Sequence, residues 1–426
     1  MRLEQILDQR HALYRLAVKI DWEAAEARFG GLYAEEGRPG IPIRLMVGLH
    51  YLKHTFNESD ELVVARWVEN PYWQYFCGEE YFRHTLPIDP SQMTRFRDRV
   101  GAEGCEYMLS LTIRTGLDTK TVSSASLSVV NVDTPVQDKA IAFPTDARLY
   151  HKARGALVRV AQGMGIKLRQ SYARLSKAAL AKHGRYAHAR QTQRAKREQK
   201  RLKTYLGRVI RDIDRKMEVP RSAEYSRLSR LLELARRIHA QQRNDKGKVY
   251  SVHAPEVECI AKGKAHKPYE FGVKVGVVST SKESFVIGMQ AFPGNPYDGH
   301  TLKASLAQAQ RLTGRLTKEV YVDRGYRGHG VIQEGLKVWI AGAKRGVTVA
   351  IRKKLKRRNA VEPVIGHMKA DGRLARNFLK SSRGDAMNAL LCGAGHNLRK
   401  ILRRLALLCT QILQPLMQNT IQIAIN

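Results

Sequence analysis

The chain has 426 residues, 43% hydrophobic and 27% charged, too long for one ordinary core and too apolar for disorder, so two or three domains are expected. Its 74 lysines plus arginines against 39 aspartates plus glutamates leave a formal charge of +35, a self-repulsion tolerated mainly beside a polyanion, which makes nucleic acid the expected partner. No window approaches 18 uninterrupted apolar residues and charges interrupt the N-terminal segment, which argues against a membrane span or secretory leader and for a cytoplasmic location.

Residues 1–120 carry apolar positions at helical spacing with Gly and Pro breaks, and a helical domain is expected there. Asp89-Pro90-Ser91-Gln92 predicts a helix start with a capping box closed by Gln92, and Gly101 a helix stop. Arg95, Arg97 and Arg99 along that helix are expected either as a solvated basic face or as DNA contacts. The aromatic cluster Trp67, Tyr72, Trp73, Tyr75 and Phe76 is expected in the core. The five cysteines, Cys77, Cys105, Cys259, Cys392 and Cys409, are odd in number and form no C-x-x-C pair, so buried free thiols are expected.

From Leu127 the texture turns to β-like runs, Ser128 to Val132 and then Ile141 to Phe143, opening a second domain over 121–400. A segment at 148–247, with 28 lysines plus arginines against 7 acids, interrupts it as a basic helical insertion that fits a phosphate-binding surface. Alternating Phe271, Val273, Val275 and Val277, a turn at Ser279 to Glu283, and Phe285 to Met289 predict a hairpin. A helix through Leu302 and Leu312, a strand from Glu319 to Val322, a short strand at Trp339, and helices from Arg358 to Lys369 and from Asp385 to Leu408 complete the expectation. The tail, 401–426, reads as a packing or oligomerisation helix broken near Pro415.

Two strands end at a carboxylate, Val132-Asp133 and Val322-Asp323, where α/β folds place reactive groups; singly, each is more often a turn or cap residue. In the helix over 358–369, Arg358, Glu362 and Lys369 share one face, although Pro363 is costly inside a helix and argues for a start near Glu362. Three carboxylates can hold two hard divalent ions about 3.5 to 4 Å apart, one at the attacking and one at the leaving oxygen of a phosphodiester. Asp146 and Asp298 are secondary candidates, and His300, His329 and His367 lack the close paired spacing of zinc sites. No G-x-x-x-x-G-K-S/T loop occurs, so no nucleotide cofactor is expected.

In combination and order, Val132-Asp133-Thr134 with Lys139 and Pro144-Thr145-Asp146, Lys262-Gly263-Lys264, Tyr269 to Gly272, Gly294-Asn295-Pro296-Tyr297-Asp298, Asp323-Arg324-Gly325-Tyr326, and an R-x3-E-x6-K pattern at Arg358, Glu362 and Lys369 resemble the DDE-type transposases of bacterial insertion sequences, specifically the insertion sequence 5 group. The resemblance implies a ribonuclease-H-like α/β catalytic domain with an all-α N-terminal domain for DNA binding and assembly. It implies Asp133, Asp323 and Glu362 as catalytic, metal-binding residues for Mg²⁺ or Mn²⁺, two ions together. Arg358, Lys369, Arg324, Arg327 and Lys264 are then the expected DNA contacts, the partners being double-stranded terminal repeats, target DNA and a second copy of the chain. The chain departs from the family signature in carrying Leu355 where a Tyr is common. The alternatives are a nuclease that cuts without joining and a catalytically inactive, repurposed DNA-binding protein.

Overall fold

A computed structural model describes residues 2–33, 40–217, 223–262, 268–342 and 347–425, the side chains of 223–224 and 408–425 excepted. The apolar periodicity of the N-terminal third produces helices α1 (Leu3–Ile6), α2 (Ala12–Lys19), α3 (Trp22–Phe29), α4 (Ile43–Phe56), α5 (Asp60–Glu69), α6 (Pro71–Phe76) and α7 (Ser91–Asp118). Trp67, Trp73 and Phe76 are buried, as expected of the aromatic cluster. The start of α7 differs from the capping-box expectation. Pro90 is the N-cap and has no side chain to offer, while the Asp89 carboxylate accepts the Ser91 amide at 2.9 Å. Gly101 bends α7 through φ 66°, ψ −164°, and the helix resumes beyond it.

Strands β1 (Val129–Asp133) and β2 (Val136–Asp138) come next. The run Ile141 to Phe143, expected as a strand, forms none. Then come helices α8 (Asp146–Gly163), α9 (Ala173–His188), α10 (Thr192–Asp214) and α11 (Ala223–Ala240), strands β3 (Glu258–Ala261), β4 (Tyr269–Thr280) and β5 (Val286–Phe292), and helix α12 (Asp298–Thr313). Strands β6 (Glu319–Val322) and β7 (Lys337–Ile340) precede α13 (Val349–Arg358), α14 (Val361–Asp371) and α15 (Ser381–Ile425).

Two compact units result, one formed by Met1–Asp138 with Val273–Asn426, the other by Lys139–Gly272. The second is wider than the insertion expected at 148–247. In the first, β5, β4, β1, β6 and β7 lie side by side, with β4 antiparallel to both β5 and β1, and β1 and β6 parallel, as are β6 and β7. This mixed sheet with flanking helices is consistent with a ribonuclease-H-like fold. The N-terminal helices are no separate body, because α15 packs on α2, α4 and α7 as well as on β5 and one apolar core runs through them all. α15 starts at Ser381, before the expected Asp385, and its backbone stays helical through the tail.

In the second unit, α8, α10 and α11 bury Leu157, Leu206, Leu232 and Ile238 in a core of their own. On α10 the basic residues Arg194, Arg197 and Lys200 are exposed, whereas Arg154 of α8 is buried. Among the described residues, no helix is long and apolar enough to cross a membrane.

Candidate active site

β1 and β6 are parallel neighbours with Asn131 opposite Tyr321, so extending the register two residues sets Asp133 opposite Asp323 at the same end of the sheet. Adjacent strands lie about 4.8 Å apart, which brings the two carboxylates within reach of one cation. The Thr134 amide donates to Oδ1 of Asp133 at 2.8 Å, and the Gly325 amide donates to Oδ1 of Asp323 at 2.8 Å. Each Oδ2 faces the Arg358 guanidinium, with Nη2 3.4 Å from Asp133 and 3.7 Å from Asp323. Arg358 is buried, and its Nε has no hydrogen-bond partner.

Arg358 ends α13, and Asn359 and Ala360 separate it from α14. The single helical stripe expected to join Arg358, Glu362 and Lys369 is therefore two helices. The reason is Pro363, which falls in the first turn of α14, where a missing amide hydrogen leaves no helical bond unmade. Glu362 stands exposed in that same turn. The structure thus brings Asp133, Asp323 and Arg358 together, and among the described residues no three His, Cys, Asp or Glu are grouped to hold a metal ion. Lys369 lies 3.7 Å from Asp138 at the end of β2. Arg324 and Arg327 are exposed on the turn after Asp323, and Lys264 lies outside the described residues.

Of the secondary candidates, Asp298 is in this neighbourhood, whereas Asp146 belongs to the second unit. Asp298 opens α12 and accepts Lys274 Nζ at 2.8 Å. Asp146 opens α8 in the second unit, where Lys248 lies at 3.8 Å. The histidines do not gather: His329 accepts the Val331 amide, and His367 pairs with Asp371. Tyr326 is fully buried behind the site. Burial pushes its hydroxyl far above the ordinary tyrosine range, and the nearby negative charges of Asp133 and Asp298 add to the shift.

The second unit presents another basic surface. A groove of about 530 Å³ between α8 and α11 is lined by Arg159, Arg227, Arg230 and Arg237 over an apolar floor that includes Leu231 and Leu234.

Residues 1–99 match a family model described as Transposase domain (DUF772), and residues 207–398 match one described as Transposase DDE domain. The chain belongs to the DDE-type insertion-sequence transposases. The second match takes in Asp323 and Glu362 of this transposase and begins beyond the strand that carries Asp133. The transposase is also 56% identical over 190 residues to a Rhizobium meliloti protein named "Uncharacterized protein ORF8 in nfe locus", an alignment covering 45% of this chain and 92% of that protein. No solved structure matches the transposase.

Sequence reasoning missed a buried ion cluster among the N-terminal helices. Asp60 is held by Lys53 at 2.7 Å and by a two-pronged contact from Arg97, which is buried rather than solvated or free for DNA. The signal available was weak, since three arginines at alternate positions of a helix cannot all face the same way.

Proposed function

We propose that this transposase cuts phosphodiester bonds at the ends of its own element and joins the freed 3′ hydroxyls to target DNA, both in-line steps being served by one metal-dependent site on a ribonuclease-H-like sheet. It is read here as a member of the insertion sequence 5 group, acting in the cytoplasm as a homodimer on paired terminal repeats. The observation that carries this reading is the pairing of Asp133 and Asp323 across parallel strands, with both Oδ2 atoms directed at a single cationic group.

The donor set fits a hard cation. Mg²⁺ is commonly held through one or two carboxylates while waters and substrate phosphate fill its remaining positions, and the two aspartates already share one positive group. Asp133 and Asp323 would hold it, with Glu362, exposed in the first turn of α14, as the third carboxylate. A bound Mg²⁺ or Mn²⁺ supplies Lewis-acid activation of the attacking and leaving oxygens. The chain itself orients and neutralises. The Thr134 and Gly325 amides fix the rotation of the two carboxylates, and the unpartnered Nε of Arg358 leaves that guanidinium a donor for a substrate phosphate. Lys369, Arg324, Arg327 and Lys264 contribute further phosphate contacts in this reading.

The test uses duplexes carrying the terminal repeats together with a separate target. Asp133→Asn, Asp323→Asn and Glu362→Gln are each expected to abolish cleavage while binding to end DNA persists. Retained cleavage in any one removes that residue from the catalytic set. Nicks without a joined product would make the wild-type chain a plain nuclease.

A further inference from the structure

The segment Gly294 to Asp298 grips the turn that carries Asp323, and it does so at more than one point. Tyr297 donates its hydroxyl to the Arg327 carbonyl at 2.9 Å, which ties the loop before α12 to the far side of the turn. Nearer the site, a Cβ placed on Gly325 would lie 2.9 Å from Oδ2 of Asp298 and 3.0 Å from Oδ1 of Asp323, so both carboxylates crowd the same glycine. Two like charges this near would ordinarily push apart. Lys274 removes the conflict. Its ammonium, half-buried on β4, donates to Oδ1 of Asp298 and to the Pro296 carbonyl, both at 2.8 Å.

We propose that Asp298, neutralised by Lys274, is a positioning residue that fixes the carboxylate of Asp323 for metal binding. The pair braces the turn at Gly325, whose amide in turn holds Oδ1 of Asp323, so Oδ2 is left directed at the point it shares with Asp133. Partners that orient a ligating carboxylate typically matter 10- to 100-fold in metal affinity. The inference rests on the reading that Asp323 is a metal ligand.

The experiment is titration of the full-length protein with Mn²⁺, the free ion followed by electron paramagnetic resonance, alongside thermal unfolding of each variant. Asp323→Asn sets the reference and is expected to lose Mn²⁺ binding; if it does not, the metal-ligand reading fails first. Given that loss, Asp298→Asn and Lys274→Met are expected to weaken Mn²⁺ binding about 10- to 100-fold with unchanged unfolding midpoints. Lys274→Arg, which keeps the charge, is expected to restore most of the affinity. Gly325→Ala removes no charge but sets a methyl against both carboxylates, and is expected to weaken binding like Asp298→Asn. Wild-type Mn²⁺ affinity in Asp298→Asn overturns the proposal while leaving Asp323 in place. If Asp298→Asn unfolds, Gly325→Ala and Lys274→Arg decide: wild-type affinity in the first, or no recovery in the second, overturns it as well.

Discussion

Arg358 is the residue on which two carboxylates depend. Remove it and Asp133 and Asp323 lose the guanidinium that both Oδ2 atoms face. Arg358→Ala is expected to lower single-turnover cleavage at saturating end DNA at least about 100-fold, the scale of removing one preorganised transition-state donor. Arg358→Lys is expected to recover only part of it, because an ammonium cannot present a planar fork to carboxylate and phosphate together. A variant lysine as fast as wild type would reduce the role of Arg358 to charge alone. Asp60 poses the structural counterpart. Burial works against its charge, yet the Lys53 ammonium and the Arg97 guanidinium outweigh that and hold its carboxyl below the usual carboxylate range. His50 beside them is driven down to about 3, chiefly by burial, and so accepts from Arg97 as a neutral ring. Asp60→Ala is expected to cost about 3 to 5 kcal/mol in urea unfolding, since it strands two buried cations. Because the folded carboxyl titrates below the unfolded one, this contribution is complete above about pH 4 and fades as acid is added below it. An acid-unfolding midpoint equal in wild type and Asp60→Ala would contradict the assignment. The two aspartates proposed as metal ligands were legible as acids ending apolar strands. Arg97 was not, because its partner stands 37 residues away, beyond any local pattern.

Helix boundaries show where local rules hold and where they mislead. Pro363 correctly marks a start, and once α14 begins at Val361 the stripe from Arg358 to Lys369 can no longer be one continuous helix. Gly101 marks an interruption, but tertiary packing against α15 and α4 extends α7 beyond it. Its dihedral angles belong to a region that only glycine occupies readily, so Gly101→Ala is expected to cost about 1 to 3 kcal/mol, read as a lowered unfolding midpoint. On α11, Arg227 and Arg230 face Arg159 of α8 across the arginine groove, a rim suited to the phosphates of DNA. Replacing Arg159, Arg227 and Arg230 together by Gln is expected to lower the slope of log affinity against log salt by about 0.9 per lost phosphate contact. Cleavage at saturating DNA is expected to survive, and an unchanged slope would take the groove out of the DNA interface.

Across the whole molecule, the charge balance pointed to a polyanion from composition alone, but the division into units did not follow composition. The basic stretch stands out at 148–247, whereas the second unit reaches from Lys139 to Gly272, because Lys139 pairs with Glu256 and β3 pairs with the first residues of β4, contacts that no charge count foretells. The all-α N-terminal third was visible, and its fusion with the sheet through α15 was not, since that helix closes the core from the opposite end of the chain. This connectivity has a consequence for synthesis on the ribosome. The Lys139–Gly272 unit is one continuous stretch that can acquire its shape as soon as it has emerged, while β1 must wait for β4 and β6 before it has neighbours on either side. Asp133 therefore leaves the exit tunnel long before Asp323, just past the end of β6, exists, and the pair of carboxylates that faces Arg358 is complete only when translation is nearly done.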